Sequence, residues 1–225
     1  MGTQPYESQI DPPDAAAPRL RGVAHLVAFV AAAPVGILLV AHARGGPAHV
    51  GAATFAANAT VMLGVSSLFH RRAWSPKHKR WLAAVDHAMI YALIAGTYTP
   101  FALLVLDHGW RLPILAIVWG GAFVAAAGKL LRPDAPRSVS AATCVALGWI
   151  SVLVLPQIVG RIGLGPTALL AAGGIAYTVG AVVYARRKPD PFPRVFGYHE
   201  LFHALTVVAL ACQYATIAFF VLPRA

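Results

Sequence analysis

The sequence predicts an all-α fold, a polytopic membrane protein built as a bundle of seven transmembrane helices. Three observations lead there. The chain of 225 residues is 58% hydrophobic and only 12% charged, whereas soluble domains run nearer a quarter charged. Seven apolar stretches are long enough, or nearly so, to cross a hydrocarbon layer about 30 Å thick. None of them alternates as a barrel strand does, and lipid accepts only helices or closed barrels.

The predicted spans are Gly22–Ala41, Gly51–Phe69, Trp81–Leu106, Leu112–Leu131, Val139–Leu155, Leu164–Ala185 and Tyr198–Leu222. The basic residues support that count. Fourteen of the eighteen Lys and Arg fall before the first span or after the second, fourth and sixth, leaving Arg44, Arg111, Arg161 and Arg224 for the other side. A missed or invented span would scramble this alternation. By the positive-inside rule the N-terminus is cytoplasmic and the C-terminus outside, as in a multi-pass protein of the plasma (inner) membrane. The net charge of +10 would suggest nucleic acid in a soluble protein. Here its placement reads as a topology signal with contacts to anionic headgroups, so membrane lipids and not nucleic acid are the expected partners.

Residues 1–20 are polar and proline-bearing with no apolar staple, and read as a disordered cytoplasmic tail ahead of one domain over 21–225. The first span follows Arg19 and Arg21 and ends near Ala41-His42-Ala43, which has the small-x-small form of a leader cleavage site. Its apolar run is longer than a leader's core and the later connections depend on its orientation, so it is taken as a true span. It carries His25 near its cytoplasmic end. A lone histidine at that depth is ordinarily a helix-to-helix hydrogen-bonding group, with a part in a functional site as the sharper alternative.

The second span ends in Gly64-Val65-Ser66-Ser67-Leu68-Phe69-His70, where Ser66 and His70 are four apart and share a face. The most basic connection, Arg71 to Arg80, leads to a third span opening with Asp86 and His87. That span continues through Ala95-Gly96-Thr97-Tyr98-Thr99-Pro100-Phe101. Pro100 deprives the helix of a backbone bond, and Thr97 and Thr99 are expected to satisfy the freed groups, with Tyr98 a packing residue. The fourth to sixth spans are nearly free of ionisable groups, and Gly120-Gly121 and Gly173-Gly174 allow close helix approach. Cys144 and Cys212 lie within spans in no metal or redox spacing and read as small apolar residues.

The chemistry concentrates at His199-Glu200-Leu201-Phe202-His203. Two histidines four apart on a helix lie one turn above each other, a spacing that lets both imidazoles reach one zinc ion. Five residues match by chance too easily to decide alone, but the acids add a second signal. Of eight in the chain, only Asp86 and Glu200 sit in apolar segments, each beside a histidine, and a carboxylate in lipid needs a partner or a wet cavity. With alternating helices, His70, Asp86 and His199 all fall at cytoplasmic ends. The bundle can therefore gather His70, His199 and His203 around one ion, with Asp86 and Ser66 near by. Three protein ligands with an open position suit a catalytic zinc, whose bound water Asp86 would deprotonate or orient while Ser66 hydrogen-bonds water or substrate. Glu200 and His87 each point about 100° round their helix from His199 and Asp86 respectively. Glu200 is expected to pair with His25, His87 or a basic residue, and His87 with Glu200, with lipid headgroups, or with neither.

Together, Ser66-x-x-x-His70, Asp86 with the run Ala95–Phe101, and His199-Glu200-x-x-His203 resemble the hemolysin III branch of the progestin and adipoQ receptor family. The resemblance extends from the first span to the seventh. It implies a seven-helix bundle with a cytoplasmic N-terminus and a zinc ion held by His70, His199 and His203, with Asp86 and Ser66 completing the site. Some receptor members of that family hydrolyse ceramide, and bacterial members are named for a haemolytic activity. The long N-terminal region of the animal receptors is missing, so a hormone-receptor role is not implied.

Three functions remain open at this point. The first is a zinc-dependent hydrolase of a lipid amide or ester with a role in membrane lipid homeostasis. The second is a pore former or sensor of membrane state, in which zinc merely clamps helices and Asp86 is a fourth ligand. The third takes H-E-x-x-H literally, as an intramembrane metalloprotease with Glu200 as its base. No His, Asp or Glu follows His203 to complete a protease-type ligand set.

Overall fold

Lipid leaves a backbone no partner but itself, and the computed structural model, which describes residues 17–224, is helical almost throughout. Among the described residues seven helices are long and apolar enough to cross a membrane. They are Val23–His42, Gly46–Arg71, Pro76–Leu104, His108–Leu131, Arg137–Ile162, Leu164–Arg186 and Tyr198–Arg224. The one departure toward β structure there is an isolated bridge between Phe192 and Phe196, ahead of the seventh span.

Most of the predicted tail, residues 1–16, lies outside the described residues. The part that is described is tied down: the N–H groups of Arg19 and Leu20 donate to the carbonyls of Arg194 and Val195, both at 3.1 Å. The start of the domain and the approach to its last helix therefore meet at one rim.

Several helices run longer than their apolar runs suggest. The third begins at Pro76, with Ser75 as its cap, because proline fits the first helical turn, whose N–H groups lack partners. Lys77, Lys79 and Arg80 thus ride on helical turns, and the basic connection shrinks to residues 72–75. The fifth span is interrupted by a 3₁₀ stretch, Ile150–Val154. Two features meet there: Pro156, which cannot donate to the Val152 carbonyl four residues back, and Tyr98 of the third span. Its hydroxyl lies 2.6 Å from the Gly148 carbonyl and 3.0 Å from that of Leu147, and it accepts the Ser151 N–H at 2.8 Å. Thr97 and Thr99 do not serve the carbonyl that Pro100 leaves unpaired, which is that of Gly96. Their hydroxyls donate instead to Leu93 and Ala95, at 2.9 and 3.1 Å.

Consecutive spans pack side by side from the first to the fourth; the fifth packs mainly on the sixth, the sixth on the seventh, and the seventh returns to the first. The third span is the most deeply buried. Glycines let it approach the second closely: a Cβ on Gly51 would stand 2.9 Å from Pro100 Cα, and one on Gly96 would stand 2.9 Å from Asn58 Cβ. Phe55, Met62, Leu63, Leu93 and Ile217 are fully buried in the resulting core. Gln157, Gln213 and Tyr214 each hydrogen-bond across elements: Gln157 accepts from Asp107 N, Gln213 from Thr97, and Tyr214 donates to Val35 O.

Candidate metal centre

His70 ends the second span and His199 and His203 occupy the first two turns of the seventh, so the packing of these ends decides whether the three rings meet. They do. One nitrogen from each of the three lies within 4.8 Å of the others. His70 Nε2 and His199 Nε2 are 3.2 Å apart, and the ring centroids of the three pairs are separated by 4.6 to 4.9 Å. His203 is 2% exposed. The three imidazoles could hold a metal ion: with metal–nitrogen bonds of roughly 2.0–2.1 Å, tetrahedral ligands stand about 3.3 Å apart, close to the His70–His199 separation, and the set as a whole lies within 4.8 Å.

Gly22 is what lets the first span reach this cluster. Its φ of 75° is left-handed, and a Cβ there would stand 2.6 Å from that of His70, so the position needs glycine both for its backbone and for the contact. Three residues on, His25 is buried in the site. Its Nδ1 is 2.8 Å from Ser66 Oγ, and its ring stacks on His203 with centroids 3.8 Å apart and planes 11° from parallel.

Asp86 Oδ2 lies 3.7 Å from His70 Nε2. Asp86, Ser66, His25, His199 and His203 border the polar head of a cavity of about 300 Å³. The rest of that cavity is mostly apolar. It runs between the third, fifth, sixth and seventh spans past Leu93, Phe101, Val145 and Leu170 to Ile158, and the fourth span contributes nothing to it.

Glu200 faces away from the cluster. Its Oε1 accepts from Arg21 Nε at 2.5 Å and its Oε2 from Gly197 N–H at 2.9 Å. Of the partners expected for it, the basic residue is the one found: Oε1 ties the first turn of the seventh span to the N-terminal rim, while Oε2 caps that turn. His87 pairs with other groups than Glu200. Its Nε2 is 2.6 Å from the Tyr184 hydroxyl and its Nδ1 2.6 Å from the Ala83 carbonyl.

Three residues of this neighbourhood escape sequence reasoning. Arg21 reads only as a topology charge, being 179 positions from its partner. Tyr184, in the apolar sixth span, packs edge-on against His199 with centroids 5.8 Å apart. Arg137 lies over the Tyr184 ring at 5.3 Å and donates to the Tyr198 hydroxyl at 2.8 Å. Nothing in the local sequence marks the last two. For Arg21, a lone acid in an apolar span was the signal that some cation must come to it.

Over most of its length the chain is similar to known proteins. A family model described as haemolysin-III related matches residues 14–214. Hemolysin-3 of Bacillus cereus is 30% identical over 207 residues, 90% of this chain and 91% of that protein. The Hemolysin-3 homolog of Bacillus subtilis (strain 168) is 29% identical over 160 residues, 71% of this chain and 72% of that one. With seven membrane-crossing helices and a match over most of its length, the chain is a multi-pass membrane protein that belongs to the haemolysin-III related family, a branch of the progestin and adipoQ receptor family.

Proposed function

We propose that the protein is a zinc-dependent hydrolase that cleaves a lipid amide or ester at the cytoplasmic boundary of the plasma membrane, in the service of membrane lipid homeostasis. The observation that carries this reading is the apolar cavity whose head is bordered by His199, His203 and Asp86. Ligand sites are commonly cavities of this kind, apolar with a few convergent polar groups. An acyl chain suits the apolar length, and its carbonyl then lies at the polar head.

His70, His199 and His203 would hold the ion. Bound there, the ion would supply Lewis-acid chemistry, polarising a carbonyl and making water more acidic. Hydrolysis joins the water oxygen to the carbonyl carbon and breaks the C–N or C–O bond. Asp86, 3.7 Å from His70, is the carboxyl within reach to hold the proton that water gives up and to return it to the departing amine or alcohol. Ser66 offers its hydroxyl to a substrate oxygen or to water. Glu200 is a poor candidate for a protease base, because both of its oxygens are engaged by Arg21 and Gly197.

A second reading draws on the name hemolysin carried by the relatives: a lytic or membrane-sensing protein in which the ion would clamp the second, third and seventh spans, with Asp86 as a fourth ligand. One experiment separates the two. Purified protein is analysed for metal and incubated with ceramide and other acyl amides and esters in liposomes that also contain a trapped dye. Hydrolysis predicts about one equivalent of zinc, lost in His203→Ala, and fatty-acid release abolished by chelation and by Asp86→Ala. Dye leakage unaffected by chelation or by Asp86→Ala, with no fatty acid released, would sink the hydrolase.

A further inference from the structure

A ligating imidazole is ordinarily held in its plane by a hydrogen bond from its second nitrogen to a carboxylate, a carbonyl or water. His203 has no such anchor in the protein: its Nδ1 is buried without a hydrogen-bond partner. Something else must fix the ring, since an imidazole is otherwise free to turn about its Cβ–Cγ bond. His25 is the neighbour that can do so. Its ring lies parallel to His203 at 3.8 Å, whereas His70 and His199 meet His203 at 60° and 70° and restrain its tilt far less. The His25 ring is itself pinned, with Nδ1 at 2.8 Å from the Ser66 hydroxyl, and it is 2% exposed. Its own Nε2 is buried without a hydrogen-bond partner among the described residues, and the side-chain restraint on this imidazole comes from Ser66.

We infer that His25 is a positioning residue of the metal centre: a stacked ring, locked by Ser66, takes the place of the missing hydrogen bond in holding His203 for its ion. The order of dependence is Ser66 to His25 to His203, so Ser66 serves the ligand set as well as the cavity. The inference rests on the zinc reading above and concerns affinity for the ion, whatever reaction follows.

The test separates ring from hydrogen bond. His25→Phe keeps an aromatic face against His203 and loses the bond to Ser66. His25→Asn keeps a polar atom near Nδ1 and loses the face. His25→Ala loses both. Each is purified in detergent and checked for a native melting curve and elution volume. Zinc affinity is then read by competition with a chromogenic chelator, and the visible absorption of the Co²⁺-loaded protein is recorded. We expect His25→Asn and His25→Ala to bind zinc about 10–100-fold more weakly, the usual cost of losing a group that orients a ligand, with a shifted Co²⁺ band. His25→Phe and Ser66→Ala each keep a ring against His203 but lose its lock, and both should fall between those two and the native protein. Should His25→Phe not fold, Ser66→Ala and the Co²⁺ spectrum of His25→Ala decide the matter. Equal affinity and an unchanged spectrum in His25→Ala would overturn the inference while leaving the metal site intact, as would His25→Asn binding as tightly as the native protein. A native protein that takes up no zinc overturns the metal reading itself, and the inference with it.

Discussion

Two ion pairs, one at each end of the bundle, show how differently the same chemistry is used. At the basic end Arg21 meets Glu200 with side chains 14% and 2% exposed. At the other end Arg161 meets Asp107 at 2.7 Å with side chains 63% and 59% exposed. The exposed pair joins the connection after the third span to the end of the fifth, in reach of water and salt. The buried pair joins the rim where the chain enters the bundle to the helix that carries two of the three imidazoles. Depth separates them, and with depth comes a cost if either partner is lost.

The largest effect that would break this comparison comes from Arg21→Ala. It strands the Glu200 carboxylate, and resistance to unfolding in detergent should fall by about 3–5 kcal/mol. Adding Glu200→Gln removes the stranded charge and should recover part of the loss. A change below about 1 kcal/mol for the single variant would mean that the two ends are energetically alike. An intermediate effect sharpens the contrast at the same end. Tyr184→Phe removes the hydroxyl that His87 Nε2 meets at 2.6 Å and should cost about 1–3 kcal/mol, the price of an unsatisfied buried polar group, read from the same unfolding titration. The smallest belongs to the far end. Asp107→Asn should change stability by less than about 1 kcal/mol, and less still in salt, where exposed charges are screened beyond about 10 Å at 0.1 M.

Much of this architecture is legible before any coordinates, because lipid narrows the choices. Apolar length marks the helices and the alternation of basic residues supports their number. The scarcity of acids makes Asp86 and Glu200 conspicuous, and helix alternation then carries His70 to the same end as His199. What the sequence conceals are partnerships set by how the helices lean on one another. Tyr184 lies in an apolar run and looks like packing until His87 and His199 are beside it. The break at Ile150–Val154 is partly legible, since Pro156 follows it, but the Tyr98 hydroxyl that meets it from fifty residues away is not. Helix ends are hidden for a different reason: Lys77, Lys79 and Arg80 are polar, so an apolar window stops short of Pro76 although the backbone does not.

The seventh span brings both His199 and His203, and the rim that braces it is assembled from residues near the beginning of the chain. During synthesis the first helix is inserted long before its companions exist. Until the final segment leaves the ribosome, the nascent protein can offer a metal no more than the lone imidazole at position 70 from this trio. Any ion that the three imidazoles could hold would thus have to be loaded after residue 203 has emerged, and a product truncated before residue 198 would lack two of the three.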